Sequence, residues 1–566
     1  MQATAAGGVV ARGQTRVEGS ADSCEVIALT LEPATTSDSG VDAPGPDMLD
    51  ALIPGDGTPD GVKKTCGNGA VDGDEVCDGT KLDGKTCVSQ GLAGGTLACQ
   101  ADCKTFDLSG CTWAASGGGK DSDWAESLAL DAKGNTYVAG MITGTATFGT
   151  LTLSSRGKQD AFVAKLDPKG AYAWVKGMGG TGFDMAYGVD TDKQGNVYVT
   201  GHFSGTAHFG AVIRSAGGQF DSFVVKLAPD GTMGWVVTAG GKNGKGMLQA
   251  YDLATDGSGD CYLTGNVSGL NYLEGKSKLI QINGDGGASE IFTARLDAKT
   301  QKFAWVDVAQ STGNGEAGTG VALDGKGNLF VTGRYTQTVT FTGAPALALP
   351  TGATTLKRAN FVARADTSGK FSWARSFGGS AQDVGWTPAV VADSAGNGYV
   401  TGQFDGTAKL FGLTTTLTSK GQEDMLVAKV DPKGAFVWAT AAQGTHNEQG
   451  HGIGLDGKGN VYVSGCFGDN LAKVAAGATF GTTTLTSKSH RDLFVAQLNP
   501  AGTFQWAATA GLPGLDCAYA VAVDSAGMSR VAGIFSSPGS LGGTSLKAVG
   551  HDAFVWKLTA AGPGKP

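Results

Sequence analysis

A unit of 61–69 residues occurs seven times along the 566-residue chain, and this repetition limits the fold more than any other feature. Each unit contains an Asp-x-x-Gly-Asn turn or a close variant, whose glycines are Gly134, Gly195, Gly259, Gly327, Gly396, Gly459 and Gly527. Each unit also contains an apolar segment of the type Phe-Val-Ala-Lys-Leu, which begins near Phe162, Phe223, Phe292, Phe361, Leu426, Phe494 and Phe554. A long period with a fixed internal order indicates one supersecondary structure repeated in space, so the units are expected to share one assembly.

Each unit is interpreted as four antiparallel β-strands. The second strand is an Asn-Val-Tyr-Val-Thr-Gly segment, as at residues 196–201, because β-branched and aromatic residues favour strands. The Asp-x-x-Gly-Asn turn joins it to a short first strand, as at 320–323. An Asp-Pro-Lys-Gly turn, as at 167–170, joins the third strand to a fourth strand that carries a Trp. The two other connections are longer and emerge on one face, the long-loop face, where binding sites are expected.

The Trp of the fourth strand follows only six of the seven third strands, at Trp174, Trp235, Trp305, Trp373, Trp438 and Trp506. The last apolar segment, 553–558, is followed only by a short stretch, whereas Trp113 stands one period before Trp174. We therefore expect the Trp113 segment to supply the fourth strand of the seventh unit and to close a ring that has no open sheet edge. The strict phase of these Trp residues favours packing between units over stacking on sugars.

The predicted fold is all-β: a seven-bladed β-propeller of four-stranded blades over residues 112–560, with a tail at 561–566. The Asp-x-x-Gly-Asn-x-Tyr-Val-x-Gly and Phe-Val-Ala-Lys-Leu-Asp-Pro-x-Gly boxes resemble the bacterial SBBP family of seven-bladed propeller repeats and are similar to NHL repeats. The resemblance covers roughly four fifths of the chain and implies a fold rather than an activity. Unit three departs from the pattern at Asp260, and unit seven departs at Met528 and Arg530.

Six of the ten cysteines lie between Cys66 and Cys111, in a predicted module at residues 64–111. Their spacing lacks the Cys-x-x-Cys pairs of zinc sites, so a disulfide-bonded module is favoured over a metal site, and fifteen pairings remain open. Cys66-Gly-Asn-Gly and residues 73–78 and 94–99 resemble a cysteine-rich repeat of bacterial surface and secreted proteins, which implies an extracytoplasmic, non-catalytic module. Residues 1–63 are predicted to be a disordered segment and linker, because their composition cannot bury a core.

Charge and hydropathy exclude two classes of partner. The formal net charge of −9 and the absence of a basic stripe argue against nucleic-acid binding. No run of 18 apolar residues occurs, so no membrane span is expected. Residues 1–19 lack the pattern of a secretion signal. The cysteines nevertheless favour a secreted or cell-surface location, with a start further upstream or another export route.

Acidic residues recur at fixed places. Asp184, Asp383 and Asp516 precede first strands near the expected channel mouth, where they either bind a cation or a sugar or cap turns, and capping is favoured. A second series precedes third strands and is interpreted as a structural contact because it follows the repeat: Asp160, Asp221, Asp424, Asp492 and Asp552. A calcium site in the cysteine-rich module is disfavoured against a solvated acidic turn, because the spacing of its acidic residues is not that of an EF-hand: Asp72, Asp74, Glu75 and Asp78.

His446, Glu448 and His451 are predicted to share one loop on the long-loop face. A metal site there is the alternative to solvated loop residues, which are favoured because the spacing matches no regular ligand pair. His490 and His551 occupy the same place before their third strands and follow the repeat.

Other motifs carry little functional information. Residues 79–86 match the pattern of a phosphate-binding loop, but they lie inside the cysteine-rich segment without a flanking strand and helix, so the match is assigned to chance. Neither a Gly-x-Ser-x-Gly nor a His-Glu-x-x-His motif occurs. Cys466 and Cys517 are expected on the long-loop face of neighbouring units, where a disulfide would join them. Cys24 and Cys261 have no evident partner.

No catalytic, cofactor-binding or metal-binding residue and no cofactor is therefore assigned. The leading hypothesis is a non-enzymatic, extracytoplasmic binding or scaffold propeller that takes an unknown protein or glycan ligand at its long-loop face. The alternative enzyme is a glycan-acting hydrolase or lyase in the central channel, and glycoside cleavage requires two carboxyl groups about 5–10 Å apart. A third hypothesis is a structural surface spacer without a ligand.

Overall fold

The computed structural model describes residues 66–276, 278–283, 289–349, 358–379, 388–469, 476–488, 490–510 and 512–562. The predictions for residues 1–65, including Cys24, and for Asp383 lie outside these ranges. Within the described ranges the only helical segment is the three-residue 3-10 turn Val88–Gln90, and the regular structure is otherwise β-strand. No helix there is long and apolar enough to cross a membrane.

Six of the repeat units contribute four main strands and unit seven contributes three, in the order expected from the sequence. The first strands are Trp124–Leu130, Met185–Thr191, Met247–Thr255, Ala317–Leu323, Ala389–Ala392, Asn447–Leu455 and Cys517–Val523. The second strands are Thr136–Phe148, Val197–Phe203, Cys261–Ser268, Asn328–Tyr335, Gly398–Phe404, Val461–Gly468 and Ser529–Phe535. The third strands are Leu151–Leu166, Asp221–Leu227, Glu290–Asp297, Ala359–Asp366, Asp424–Val430, Arg491–Leu498 and Asp552–Leu558. The fourth strands are Tyr172–Gly180, Met233–Ala239, Lys302–Val308, Phe371–Phe377, Phe436–Gly444 and Phe504–Thr509.

The strand Cys111–Gly118, which precedes the first unit in sequence, pairs antiparallel with the last third strand. Trp113 lies opposite Lys557, and Ser116 lies opposite Phe554. The expected pairing of the Trp113 segment with the C-terminal strand is therefore confirmed. Units two, three, four and six form separate four-stranded sheets. Units one and seven join into one larger sheet, because Cys111–Gly118 also pairs with Thr136–Phe148.

Most of the connections between second and third strands contain further strands rather than loops alone. The segments with Leu-Thr-Leu or Thr-Leu-Thr form short hairpins, or extend the main strands as they do in unit one. The additional strands are Thr206–Phe209, Val212–Ser215, Leu270–Glu274, Leu279–Asn283, Gln310–Ser311, Val339–Thr340, Thr407–Lys409, Thr416–Thr418, Gly477–Phe480, Thr483–Thr486, Gly539–Leu541 and Thr544–Leu546.

The repeated turn between first and second strands is closed by its aspartate, as expected. In unit one, Asp131 Oδ1 accepts hydrogen bonds from the amides of Lys133 and Asn135 at 2.9 and 3.0 Å. Its Oδ2 accepts from the Asn135 side chain and from the hydroxyl of Tyr137. In unit seven, where the Asn and Tyr are missing, the guanidinium of Arg530 donates to Asp524 Oδ2 at 2.7 Å instead. The irregular unit thus keeps a closed turn by other chemistry.

The repeated Trp residues pack between units, as the sequence predicts. Trp113 Nε1 donates to the carbonyl of Pro168, in the turn between the third and fourth strands of the next unit. A Cβ added at Gly170 of that turn would lie 2.5–2.9 Å from the Trp113 ring, so only glycine permits this contact. Among the described residues Trp235 is the exception, because the corresponding turn of unit three is longer. The same Nε1–carbonyl contact, with distances of 2.9–3.2 Å, is made by Trp113, Trp174, Trp305, Trp373, Trp438 and Trp506.

The cysteine-rich segment is joined by three disulfides: Cys66–Cys103, Cys77–Cys99 and Cys87–Cys111. Its short strands are Gly94–Gly95, Ala98–Cys99 and Phe106–Asp107. Gly94–Gly95 pairs with Cys111–Gly118, and the buried Lys557 ammonium donates to the Ser109 carbonyl at 2.7 Å. The cysteine-rich segment and the repeat units accordingly belong to one compact unit.

Candidate binding site in the central channel

All seven first strands line one cavity of about 880 Å³. Each first strand contacts the first strand of the next unit, and the first strand of unit seven contacts that of unit one. The cavity is therefore an axial channel, and its chemistry is set by the side chains that the first strands point inward. Two arginines from neighbouring strands, Arg334 and Arg491, also line it.

Six of the first strands carry one extra residue relative to the second strand beside them. In unit one the pairing changes register between Ala125 and Ser127, which leaves Glu126 without a partner in the ladder. Such a β-bulge turns a side chain out of the regular alternation of the strand. We call the bulged residues the collar; all of them line the channel: Glu126, Tyr187, Tyr251, Thr319, His451 and Tyr519.

In the six units that contain the bulge, it explains the glycine near the end of the second strand, such as Gly140 in unit one. A Cβ added at Gly140 would overlap the carbonyl oxygen of Trp124, next to the bulge. Gly201 and Gly465 meet the carbonyls of Met185 and Gln449 in the same way. The repeated glycine is thus required for the first strand to approach closely enough to form the bulge. It is the signal in the sequence from which the collar could have been found.

The collar contains an aromatic arc. Tyr187 and Tyr251 meet edge to face with ring centroids 5.0 Å apart. On the other side of Glu126, the ring of Tyr519 lies 5.5 Å from His451 and 6.2 Å from Trp124. These rings place apolar faces and polar edges around the channel.

Glu126 is the collar's carboxyl group, and it is half-buried. Desolvation raises the pKa of Glu126 to about 7. Burial and the nearby Glu126 carboxyl raise the pKa values of Tyr187 and Tyr519, so both hydroxyls keep their protons. Neither Glu126 nor these two hydroxyls hydrogen-bond to any residue within the described ranges. All three groups are therefore available to a ligand.

A hydrogen-bonded network supports the collar on the side of His451. The Arg491 guanidinium donates to Gln449 Oε1, and Gln449 Nε2 donates to Glu423 Oε2 at 3.0 Å. Gln403 Nε2 donates to the same Glu423 oxygen at 2.9 Å. Burial lowers the pKa of Arg491 and raises that of Glu423. These side chains hold one another in place at the channel wall.

Two further carboxylates line the channel below the collar, and both bind backbone amides. Asp190 Oδ2 accepts from the amide and the hydroxyl of Thr255 in the next unit, at 2.7 and 2.8 Å. Asp252 Oδ2 accepts from the amide of Val321 in the unit after that, at 2.8 Å. Each carboxylate therefore ties one unit to the next.

The prediction that His446, Glu448 and His451 share one loop is wrong. Glu448 and His451 lie in the strand Asn447–Leu455, and Glu448 is fully buried, so these two are not solvated loop residues. His451 belongs to the collar, and burial lowers its pKa to about 3. His451 Nε2 lies 3.6 Å from the sulfur of Cys466, which is in a disulfide.

The other sequence predictions have mixed outcomes. Asp184 and Asp516 are buried and cap turns, as predicted. Asp184 accepts hydrogen bonds from the amides of Gly180 and Ser204, and Asp516 accepts one from the amide of Ser536. The disulfide Cys466–Cys517 is present, and Cys261 is a buried free thiol. In the cysteine-rich module, the prediction of a solvated acidic turn is wrong for Asp78. Asp78 is buried, and its Oδ2 accepts the amides of Gly67 and Gly69.

No known protein-family model matches the chain. The uncharacterized WD repeat-containing protein L264 of Acanthamoeba polyphaga mimivirus is 22% identical over 512 residues, which is 75% of this chain and 36% of that protein. The chain thus spans about a third of the length of that relative. Together with the repeated sheets around one channel, this similarity supports a β-propeller repeat fold. The SBBP type stays a prediction from the sequence boxes.

Several solved structures are distantly similar. They are the Dos1 propeller (8% identity, 79% of this chain and 94% of that one, TM-score 0.38), a gluconolactonase from Xanthomonas campestris (15%, 61% and 84%, TM-score 0.28) and the phage phi92 endosialidase (9%, 79% and 69%, TM-score 0.34).

Proposed function

We propose that this chain is a non-enzymatic binding protein built on a closed, seven-bladed β-propeller of four-stranded blades, whose collar binds a glycan. The cyclic contacts of the seven first strands support the closed ring. The pairing of Trp113 with Lys557 supports the strand Cys111–Gly118 as the last strand of blade seven.

The observation that carries the binding proposal is the collar. The same backbone bulge recurs from blade to blade, whereas the side chain that it presents changes from Glu to Tyr, Thr and His. A residue needed only for the fold would follow the repeat, as the Trp residues do. Tyrosine rings next to free hydroxyl and carboxylate groups suit a sugar, which presents C–H faces and hydroxyl groups together.

The distribution of carboxyl groups favours binding over glycoside cleavage. Cleavage uses one carboxyl group as acid and a second as base or nucleophile. Asp190 and Asp252 each bind an amide of a neighbouring unit, which leaves Glu126 as the unengaged carboxyl among the described lining residues. One free carboxyl group accepts hydrogen bonds from sugar hydroxyls without supplying a catalytic pair.

The disulfides support an extracytoplasmic location, secreted or at the cell surface, because such bonds persist in oxidising compartments. The cysteine-rich module is assigned, through its resemblance, to those of bacterial surface and secreted proteins, and the repeats to the SBBP type. Non-reducing mass spectrometry of protein purified without reductant should find eight cysteines oxidised. Free thiols at those eight positions would contradict the location.

A glycan array tests the binding function directly. Labelled wild-type protein should bind a defined set of glycans, and Glu126→Gln combined with Tyr187→Phe should remove the signal. Lys133→Ala, which changes an exposed turn residue on the opposite face, is the matched control and should bind as wild type does. No binding to any glycan would contradict the proposal in favour of a spacer or a protein ligand. Release of reducing sugar from a bound glycan would contradict the non-enzymatic assignment.

A further inference from the structure

Four boundaries between units each contain two buried carboxyl groups that face each other, one just before or at the start of a first strand and one on a third strand. Asp184 faces Asp160 between units one and two, and both are 1% exposed. A Cβ added at Gly179 would lie 2.6 Å from the Asp160 carboxyl carbon and 2.9 Å from Asp184 Oδ2, so both carboxyls converge on one point. The four pairs are Asp123 with Asp552, Asp160 with Asp184, Asp424 with Glu448, and Asp492 with Asp516.

Backbone amides bind some of the carboxyl oxygens of these pairs and leave others without a donor among the described residues. Asp516 Oδ1 accepts from the amide of Ser536 at 3.2 Å, and Asp492 Oδ2 accepts from that of Lys488 at 3.1 Å. The other oxygen of each of these aspartates is buried and has no donor within the described residues. Both oxygens of Glu448 are likewise without a donor there, and Asp424 is its carboxyl neighbour. Two ionised carboxylates in such a buried place would repel each other.

We propose that each pair shares one proton between its facing oxygens, so that the unit boundaries are acid-stabilised contacts and the ring loosens as the pH rises. Every pair has at least one buried carboxyl oxygen without a donor among the described residues, and a carboxylic acid group that donates to its neighbour gives such an oxygen a hydrogen bond. These oxygens belong to Asp160, Glu448, Asp492, Asp516 and Asp552. A divalent cation fits less well, because calcium takes six to eight oxygen ligands and backbone amides already bind several of the carboxyl oxygens.

The electrostatics agree with shared protons. Burial, with the opposing carboxylate, raises the pKa of Glu448 to about 9 and that of Asp516 to about 8. The same causes raise the pKa of Asp184 and that of Asp123 to about 7. Other ionisable groups also face the pairs. Arg156 and His208 lower the pKa of Asp160. Lys420 lowers that of Asp424, and Lys488 lowers that of Asp492. Asp121 raises the pKa of Asp123.

The sign of the pH dependence follows from these shifts. An unfolded chain releases the protons near pH 4, whereas the folded ring keeps them until about pH 7–9. Over that window the folded state binds more protons than the unfolded state. The stability that the pairs provide is therefore complete below pH 4 and is lost as the pH rises through about 7–9.

The boundary between units two and three is a natural control. There Leu248, 1% exposed, stands where the others have a carboxyl group. Asp221 has instead three backbone donors, the amides of Gly217, Gly218 and Gly241. An aspartate without a carboxyl partner has thus acquired a third amide and needs no shared proton.

The test is thermal unfolding of the full chain at pH 5 and pH 9, with and without EDTA. Glu448→Gln supplies a permanent side-chain donor to Asp424, so we expect it to raise the Tm at pH 9 by roughly 2–4 °C and to leave the Tm at pH 5 nearly unchanged. Asp221→Asn, at the boundary between units two and three, should lower the Tm, and the decrease at pH 5 should equal the decrease at pH 9. Infrared spectra at pH 7 should show a protonated carboxyl band that is weaker in Glu448→Gln.

Two outcomes would overturn the proposal. A wild-type infrared spectrum at pH 7 without a protonated carboxyl band would show that the pairs are ionised. A Tm that falls on adding EDTA and recovers with calcium would assign the pairs to a bound cation. Neither outcome depends on a ligand in the channel, so the glycan proposal stands or falls separately.

Discussion

The outer edge of the units and the wall of the channel use the same repeat in opposite ways. At the edge, six Trp residues make one identical contact, an indole N–H to a turn carbonyl of the next unit. At the channel, one identical backbone feature, the bulge, presents a carboxyl group in unit one, an imidazole in unit six and phenols in three other units. The repeated Trp side chains hold neighbouring units together. At the channel only the backbone bulge repeats, so the side chains there can vary and can be selected to bind a ligand.

The largest expected effect is loss of the Trp113 contact, which joins unit one to the strand that pairs with unit seven. Trp113→Ala removes a side chain that is 4% exposed together with its hydrogen bond to Pro168, and should destabilise the fold by ~3–5 kcal/mol. Trp124→Ala is the matched control in the channel wall, where the ring is partly exposed, and should cost clearly less. Denaturant unfolding measures both. Equal losses would contradict the importance of this contact between neighbouring units.

The second effect breaks the same contact from its other side. Gly170 and Gly134 both have positive φ, 88° and 79°, so alanine at either position is strained by about 1–2 kcal/mol. A Cβ at Gly134 has no neighbour closer than 3.9 Å, whereas one at Gly170 would overlap the Trp113 ring. Gly170→Ala should therefore lower the unfolding free energy more than Gly134→Ala does. Similar values for the two variants would mean that the turn moves away from the indole at no cost.

The sequence predicted most of the contacts at the outer edge of the units and few features of the channel wall. The turn glycines, the Trp phase and the pairing of the Trp113 strand follow from markers that recur in each unit, and repetition makes such markers visible. The collar was missed because a bulge adds one residue to a short strand, and the apolar alternation of residues such as Ala125 and Ser127 hides it. His451 was assigned to a loop because the glycines around it resemble loop residues, although they leave space for neighbouring strands. The carboxyl pairs were seen only as two separate series, since their convergence depends on contacts between units.

A smaller effect on stability, with a large effect on function, is expected at the collar itself. Glu126→Gln and Tyr187→Phe remove polar groups that have no partner within the described residues, so each should change the unfolding free energy by less than about 0.5 kcal/mol. Glycan binding, by contrast, should fall with each variant. A large loss of stability in either variant would mean that these groups have a structural role, and the distinction between edge and channel would then fail.

The smallest expected effect concerns the pH dependence of glycan binding, which we expect to follow the Glu126 carboxyl group alone. Desolvation raises the pKa of Glu126 to about 7 and lowers that of His451 to about 3, so the imidazole stays neutral between pH 5 and 8 while Glu126 changes charge. Because an ionised carboxylate accepts sugar hydroxyls better than an acid does, the affinity for a glycan found on the array should fall in one step below about pH 7. Glu126→Gln should flatten this profile, whereas His451→Gln should leave its midpoint in place. A midpoint that moves with His451→Gln would assign the titration to the imidazole and would place the binding groups at unit six rather than unit one.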